Sequence, residues 1–222
     1  MAYRAGGILQ SGWCGRAMTE RAASFTRWQQ FYTDDPGIAA VPPSQCVQRA
    51  VEQLQQRGAA RVLDLGCGAG RDTAVLAQHL PLVIGVDAAE AGLALAGQQA
   101  ILRERRVPLV LADSRSLPFQ PASFDGVYCF GLLHEFVGEQ ADDDVQHAMN
   151  SVHAVLKPGG LLILAVLAGE AEQGLPHVRM FSKAMLLAAT RALSCTELTT
   201  FPDVGCTGST NYTVHVGAFL KV

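Results

Sequence analysis

From about residue 60 onward, short unbroken apolar runs alternate with stretches whose apolar side chains recur every three or four positions. Five runs predict strands: Arg61-Val62-Leu63-Asp64-Leu65, Leu82-Val83-Ile84-Gly85-Val86, Val107 to Leu111, Phe124 to Phe130, and the run from Leu161. Between them the spacing predicts helices over Arg71 to His79, over about 88–104, and through Val145, Met149, Val152 and Leu156 up to the breaker Lys157-Pro158-Gly159-Gly160. Strands that alternate with helices form βαβ units, and right-handed crossovers join them into a parallel sheet. The run from Leu161 does not alternate at all, which is the pattern of a strand covered on both faces.

The two ends read differently. Phe25, Trp28, Phe31 and Tyr32 suggest a short aromatic helix before the breaker Asp34-Asp35-Pro36-Gly37. After Pro42-Pro43, Ser44 is a plausible N-cap, Val47, Val51 and Leu54 fall on one helix face, and Gly58 supplies a stop. Past a helix around 182–193, two strand-like runs, Ser194–Phe201 and Asn211–Val222, have no helix between them and must pair antiparallel if they are neighbours. Residues 1–19 show no periodicity and are expected to be a disordered tail, with one domain over 20–222.

Composition narrows the class. At 222 residues, 49% hydrophobic and 17% charged, the chain can bury a full core, and intrinsic disorder is excluded. Its longest apolar run is too short to span a bilayer, so no membrane partner is expected. Seventeen basic against 20 acidic residues give a net charge of -3, which argues against a nucleic-acid partner held by phosphate contacts. Six scattered cysteines with no C-x-x-C pair favour a reducing compartment. The expected location is cytoplasmic. Arg4 and Arg16, with no acid before Glu20, leave a mitochondrial presequence as the alternative to a plain tail. No feature sets an oligomeric state.

The chemistry concentrates in Leu63-Asp64-Leu65-Gly66-Cys67-Gly68-Ala69-Gly70, which runs from a strand into a helix. Glycines there let the backbone turn tightly and approach a ligand. A dinucleotide fingerprint needs a small residue at position 71, but Arg71 stands there and the third glycine comes one place early. By itself, the triplet also serves as a tight turn without a ligand. Asp87 closes the second strand, where a carboxylate can accept both ribose hydroxyls, although it would also cap the next helix. Asp113-Ser114 follows the third strand. All three loops lie at C-terminal strand ends, where open α/β sheets bind ligands.

These segments resemble class I S-adenosylmethionine-dependent methyltransferases. Val62 to Gly70 looks like their first motif and Val83 to Asp87 like their second. Asp113-Ser114, with Leu117-Pro118-Phe119 and Ser123-Phe124-Asp125, looks like the third, and Leu156 to Gly160 resembles the turn before their fifth strand. The resemblance implies a Rossmann-like, doubly wound α/β sheet of seven strands, mainly parallel, with the last strand antiparallel beside strand five. It implies S-adenosyl-L-methionine as cofactor. Gly66, Cys67, Gly68 and Gly70 would hold the methionine part, with Asp64 contacting it. Asp87 would take the ribose, Asp113 the adenine amino group and the Ser114 backbone N–H an adenine ring nitrogen. Cys129 and Phe130 would offer backbone to the cofactor amino group, and Ala88 and Leu117 would sandwich the adenine.

The acceptor is expected to be a small molecule, since no extra domain reads a protein or nucleic acid; a protein-modifying enzyme and a non-catalytic binding subunit are the alternatives. His134, in Gly131-Leu132-Leu133-His134-Glu135, is a candidate base or acceptor contact, and equally a structural hydrogen-bonding histidine. Trp28 and Tyr32 would form a lid over the cofactor and contact the acceptor, with Tyr32 a second candidate catalytic residue beside His134, or simply cap the core. His177 and Arg179 follow strand five, where acceptor loops lie, or face solvent. Asp142-Asp143-Asp144 favours a helix N-terminus rather than a metal, and none is expected. Cys67 reads as a packing residue. Cys195 and Cys206 invite an arsenite reading that no surrounding motif supports.

Overall fold

The computed structural model describes residues 9–10, 21–170, 177–204 and 211–222. Its elements are β1 (Leu9–Gln10), α1 (Arg21–Asp34), α2 (Cys46–Gln56), β2 (Arg61–Leu65), α3 (Arg71–His79), β3 (Leu82–Asp87), α4 (Glu90–Ala96), α5 (Ala100–Glu104), β4 (Leu109–Leu111), β5 (Phe124–Phe130), α6 (Ala141–Val155), β6 (Leu156–Leu167), α7 (Lys183–Ala189), β7 (Ser194–Val204) and β8 (Asn211–Leu220). The strand order is β1-β4-β3-β2-β5-β6-β8-β7.

The strands from β2 to β8 are the seven expected. β4, β3, β2, β5 and β6 run parallel, and β8 enters antiparallel between β6 and β7. Its register runs from Leu161 opposite Leu220 to Leu167 opposite Val214. The two-residue β1 adds a parallel edge on Val110 and Leu111. It comes from the segment expected to be a tail, the rest of which lies outside the described residues.

Alternation along each strand builds two cores. Val62, Val83, Tyr128 and Ile163 face α2, α3, α4 and α5, while Leu63, Ile84, Val127, Leu162 and Leu164 face α6 and α7. Each such buried aliphatic side chain contributes about 1.5–3 kcal/mol. β2 lies between β3 and β5, so the chain reverses its direction of travel there, and a crevice opens at the C-terminal ends of those strands.

Several local expectations need correction. The helix expected over 88–104 is broken into α4 and α5, because Gln99 is extended and its amide donates to the Ala69 carbonyl at 2.5 Å. Ser44 does not cap α2. Its hydroxyl donates to Asp72 at 2.7 Å, and the α2 N-terminus is held by Asp203, which accepts from the Gln45 and Cys46 amides at 2.8 and 3.2 Å. β6 begins at Leu156, across the Pro158-Gly159-Gly160 irregularity, and β4 begins at Leu109 rather than Val107. Asp144 does more than favour the α6 dipole, since it is buried and accepts from Arg115 at 3.0 Å.

Candidate active site

The glycine loop is a backbone cradle. Gly66, Gly68 and Gly70 all have positive φ (79°, 51° and 84°), a conformation costly for residues with a Cβ. The Gly66 and Cys67 amides anchor on the Val86 carbonyl at 2.8 and 2.9 Å, which fixes the loop against β3. A Cβ at Gly68 would stand 2.3 Å from Tyr32 Oη, while one at Gly70 would stand 2.7 Å from Leu102 Cδ1. Gly68 therefore leaves room for the Tyr32 ring against the loop, whereas Gly70 permits helix packing.

Around this cradle lies a cavity of about 550 Å³. One side of it is lined by Asp64, Gly66, Cys67, Gly68, Asp87, Ala88 and Ser114. Asp87 accepts the Gly68 amide on Oδ2 and the Ala89 amide on Oδ1, each at 2.8 Å. The capping and ribose readings thus coexist, since two carboxylate oxygens offer about four acceptor sites. Burial pushes the Asp87 carboxyl up, against the pull of its amide donors. Asp64 is 2% exposed, accepts the Thr73 hydroxyl at 2.6 Å, and is pushed up to about 8, chiefly by burial. Burial also pushes the Cys67 thiol well up, so it stays protonated and packs beside Gly85.

Asp113, Cys129, Gly70 and Arg179 do not line the cavity. The Asp113 carboxylate is engaged by the Arg115 guanidinium at 2.5–2.9 Å, and Arg115 reaches on to Asp144, tying this loop to α6. Cys129 is fully buried in β5. The Arg179 guanidinium meets Asp142 at 2.6 Å, while its amide donates to the His134 carbonyl at 2.8 Å.

The opposite wall is built from side chains. Trp28, Phe31 and Tyr32 of α1 pack against one another in edge-on and tilted contacts and line the cavity with Phe130, Val178, Met180 and Tyr212. α1 is fastened on both flanks. The Gln29 side chain accepts the Ala91 amide at 3.0 Å, and Arg27 pairs with buried Glu135. His134 lines the cavity beside them, with Nε2 facing Glu135 Oε1 at 3.6 Å and a buried Nδ1 that has no hydrogen-bond partner. Burial, then the Arg27 charge, lowers its pKa to about 4. The ring is neutral at physiological pH, and its protonated form would bury an unsatisfied N–H. His177 is exposed at the rim. Arg27, Glu135 and Asp203 also line the cavity, and the sequence reading missed all three. Only Glu135 left a trace, as the neighbour of His134. Among the described residues, no cluster of His, Cys, Asp and Glu could hold a metal; Cys206 lies outside them.

A family model described as a methyltransferase domain matches residues 63–164. An uncharacterized methyltransferase of Synechocystis sp. is 35% identical over 117 residues, covering 53% of this chain and 51% of that protein. A demethylmenaquinone methyltransferase of Thermus thermophilus is 32% identical over 119 residues, covering 53% and 51%. The chain thus spans about half the length of these curated relatives. The N-methyltransferase NodS from Bradyrhizobium japonicum, solved with S-adenosyl-L-homocysteine, shares the fold with a TM-score of 0.67 at 17% identity, over 89% of this chain and 98% of that one. With the glycine cradle and the inserted antiparallel strand, these findings make residues 63–164 similar to a methyltransferase domain, in a chain that shares its fold with a solved methyltransferase.

Proposed function

We propose that this protein transfers the methyl group of S-adenosyl-L-methionine to a small, largely apolar acceptor. One observation carries the reading: a single cavity joins the Gly66–Gly68 cradle and Asp87 to an aromatic wall of Trp28, Phe31 and Phe130. The residues fit the cofactor. The Gly66–Gly68 loop lines the cavity where the methionine part would lie, Asp87 keeps acceptor sites for a ribose diol, and Ser114 lines the end where the adenine would lie. The bound cofactor supplies a methyl group on a sulfonium, activated for in-line displacement.

The remaining work is alignment and exclusion of water. α1 closes one side of the cavity, held by Gln29 and by the Arg27–Glu135 pair. His134, neutral and with Nδ1 sealed off, serves to position the acceptor rather than to carry its proton. The demethylmenaquinone methyltransferase likeness supports a small-molecule acceptor over a protein. Calorimetry with S-adenosyl-L-homocysteine tests the first half, and turnover of S-adenosyl-L-methionine against quinols, phenols, amines and thiols tests the second. Saturable binding and turnover with one acceptor class are expected. Binding without turnover across the panel would favour a non-catalytic subunit, and no binding would overturn the reading.

A further inference from the structure

The cofactor end of the cavity has a charge arrangement that neither methyl transfer nor its alignment uses. Asp64, Asp72 and Asp87 all line it, and Asp64 and Asp72 are 2% and 5% exposed. Asp72 is surrounded by donors: the Ser44 amide at 2.8 Å, the Ser44 hydroxyl at 2.7 Å and the Tyr128 hydroxyl at 2.8 Å. Asp87 has its two amides. Asp64 differs in number: among the described residues its carboxylate accepts one side-chain hydrogen bond, from the Thr73 hydroxyl at 2.6 Å, and two of the charges acting on it are like charges. The groups that bear on Asp64 are Asp72 and Arg71 from α3, Asp87 from the end of β3, Cys67 from the loop, and Cys129 from β5. Arg71 is the one cation among them. It is also engaged elsewhere, with Nη1 on the Pro42 carbonyl at 3.1 Å, Nε 3.8 Å from Asp72, and its guanidinium over Phe130.

A buried carboxylate with a neutral donor and like-charged neighbours keeps a proton until a cation arrives. S-adenosyl-L-methionine carries an ammonium and a sulfonium against one carboxylate, and S-adenosyl-L-homocysteine retains the ammonium. We infer that Asp64 is a proton-linked sensor of the cofactor's positive charge: it holds a proton while the pocket is empty and releases it as the cationic methionine end binds. This rests on the cofactor reading above and adds to it. Cofactor affinity becomes pH-dependent through one named residue, and the empty pocket avoids placing a charge on Asp64 beside Asp72 and Asp87. The balance is simple: protonated Asp64 plus cationic ligand gives the Asp64 carboxylate–ligand pair and one proton to solvent. The direction agrees with the carboxyl being pushed up to about 8.

The test is titration calorimetry with S-adenosyl-L-homocysteine at pH 6 to 9, in phosphate and in Tris, whose ionisation enthalpies differ. Close to one proton released per ligand is expected at pH 7, fading above about pH 8, with Kd tightening about tenfold per pH unit between 6 and 8. Asp64→Asn is expected to lose the proton release and flatten the profile. The ligand's own amine titrates identically in both proteins, so the difference belongs to the protein. Saturable binding with no proton release by the wild type would overturn the inference and leave the cofactor reading intact. So would release that persists in Asp64→Asn and disappears in Asp87→Asn. No binding at any pH would remove the cofactor reading first. If Asp64→Asn fails to fold, the wild-type proton count decides alone, and a release midpoint below pH 6 overturns the assignment.

Discussion

The two walls of the cavity are made by different means. The cofactor wall is backbone: three positive-φ glycines, paired amides on Asp87, and strand ends fixed by sheet register. The acceptor wall is side chains brought together from distant parts of the chain. Arg27 and Glu135 are 108 positions apart, and Asp203 caps α2 from 158 residues away. A backbone wall tolerates little change, because its shape depends on dihedral angles that few residues adopt. A side-chain wall can be rebuilt one residue at a time, which is how one fold comes to serve many acceptors.

That contrast predicts a ranking of mutational effects. Gly68→Ala should be the most severe for the cofactor. It combines a positive φ with a Cβ that would stand 2.3 Å from Tyr32 Oη, and about 2–4 kcal/mol of strain is expected. Calorimetry should show a Kd for S-adenosyl-L-homocysteine raised about a hundredfold or more; a Kd within threefold of wild type would mean the cradle is not the binding face. Asp87→Ala comes next, losing about 1.5–3 kcal/mol, or roughly tenfold to a hundredfold in Kd. Unchanged affinity in a folded Asp87→Ala protein would place the ribose elsewhere.

On the acceptor wall the effects should be smaller and should leave cofactor affinity alone. His134→Asn is expected to keep kcat within about tenfold, because asparagine replaces one imidazole hydrogen bond. A loss of about 10²–10⁴-fold with intact cofactor binding would instead make His134 the general base. Glu135→Gln removes the charge that pins Arg27, itself about a third exposed, so about 0.5–1 kcal/mol is expected, read as a twofold to fivefold rise in acceptor KM.

Stability against pH sharpens the same comparison. His134 has a folded pKa lowered from 6.5 to about 4 by burial and Arg27. Between those values the unfolded chain binds the proton and the folded one does not, so stability falls as pH drops through that window. Denaturant titrations from pH 7 to 4 should show the loss, about 3 kcal/mol at the outside, and His134→Asn should lessen it. An equal slope in both proteins would assign it to other groups.

The difference between the walls also explains what could be read in advance. Strands β2 and β5 and helix α3 match their expected bounds, because their periods are local and each fits only one kind of element. The helix expected over 88–104 failed at Gln99, whose side chain found a partner 30 residues away; composition cannot report such a contact. Ser44 failed for the same reason, drawn from its own helix to Asp72 on the next.

Sequence alone determined the α/β class, the order of motifs and the glycine-loop turn, since all three depend on residues within a few positions of one another. The Gly66–Gly70 spacing and the carboxylates after the strands needed only the rule that ligands bind at C-terminal strand ends. The tertiary structure alone decided that Asp113 pairs with Arg115, that Arg179 holds the His134 turn through its backbone, and that Asp203 caps α2. It also decided the direction in which the His134 and Asp64 pKa values move. Burial and neighbouring charge shift a pKa, and both depend on which distant segments fold over the site.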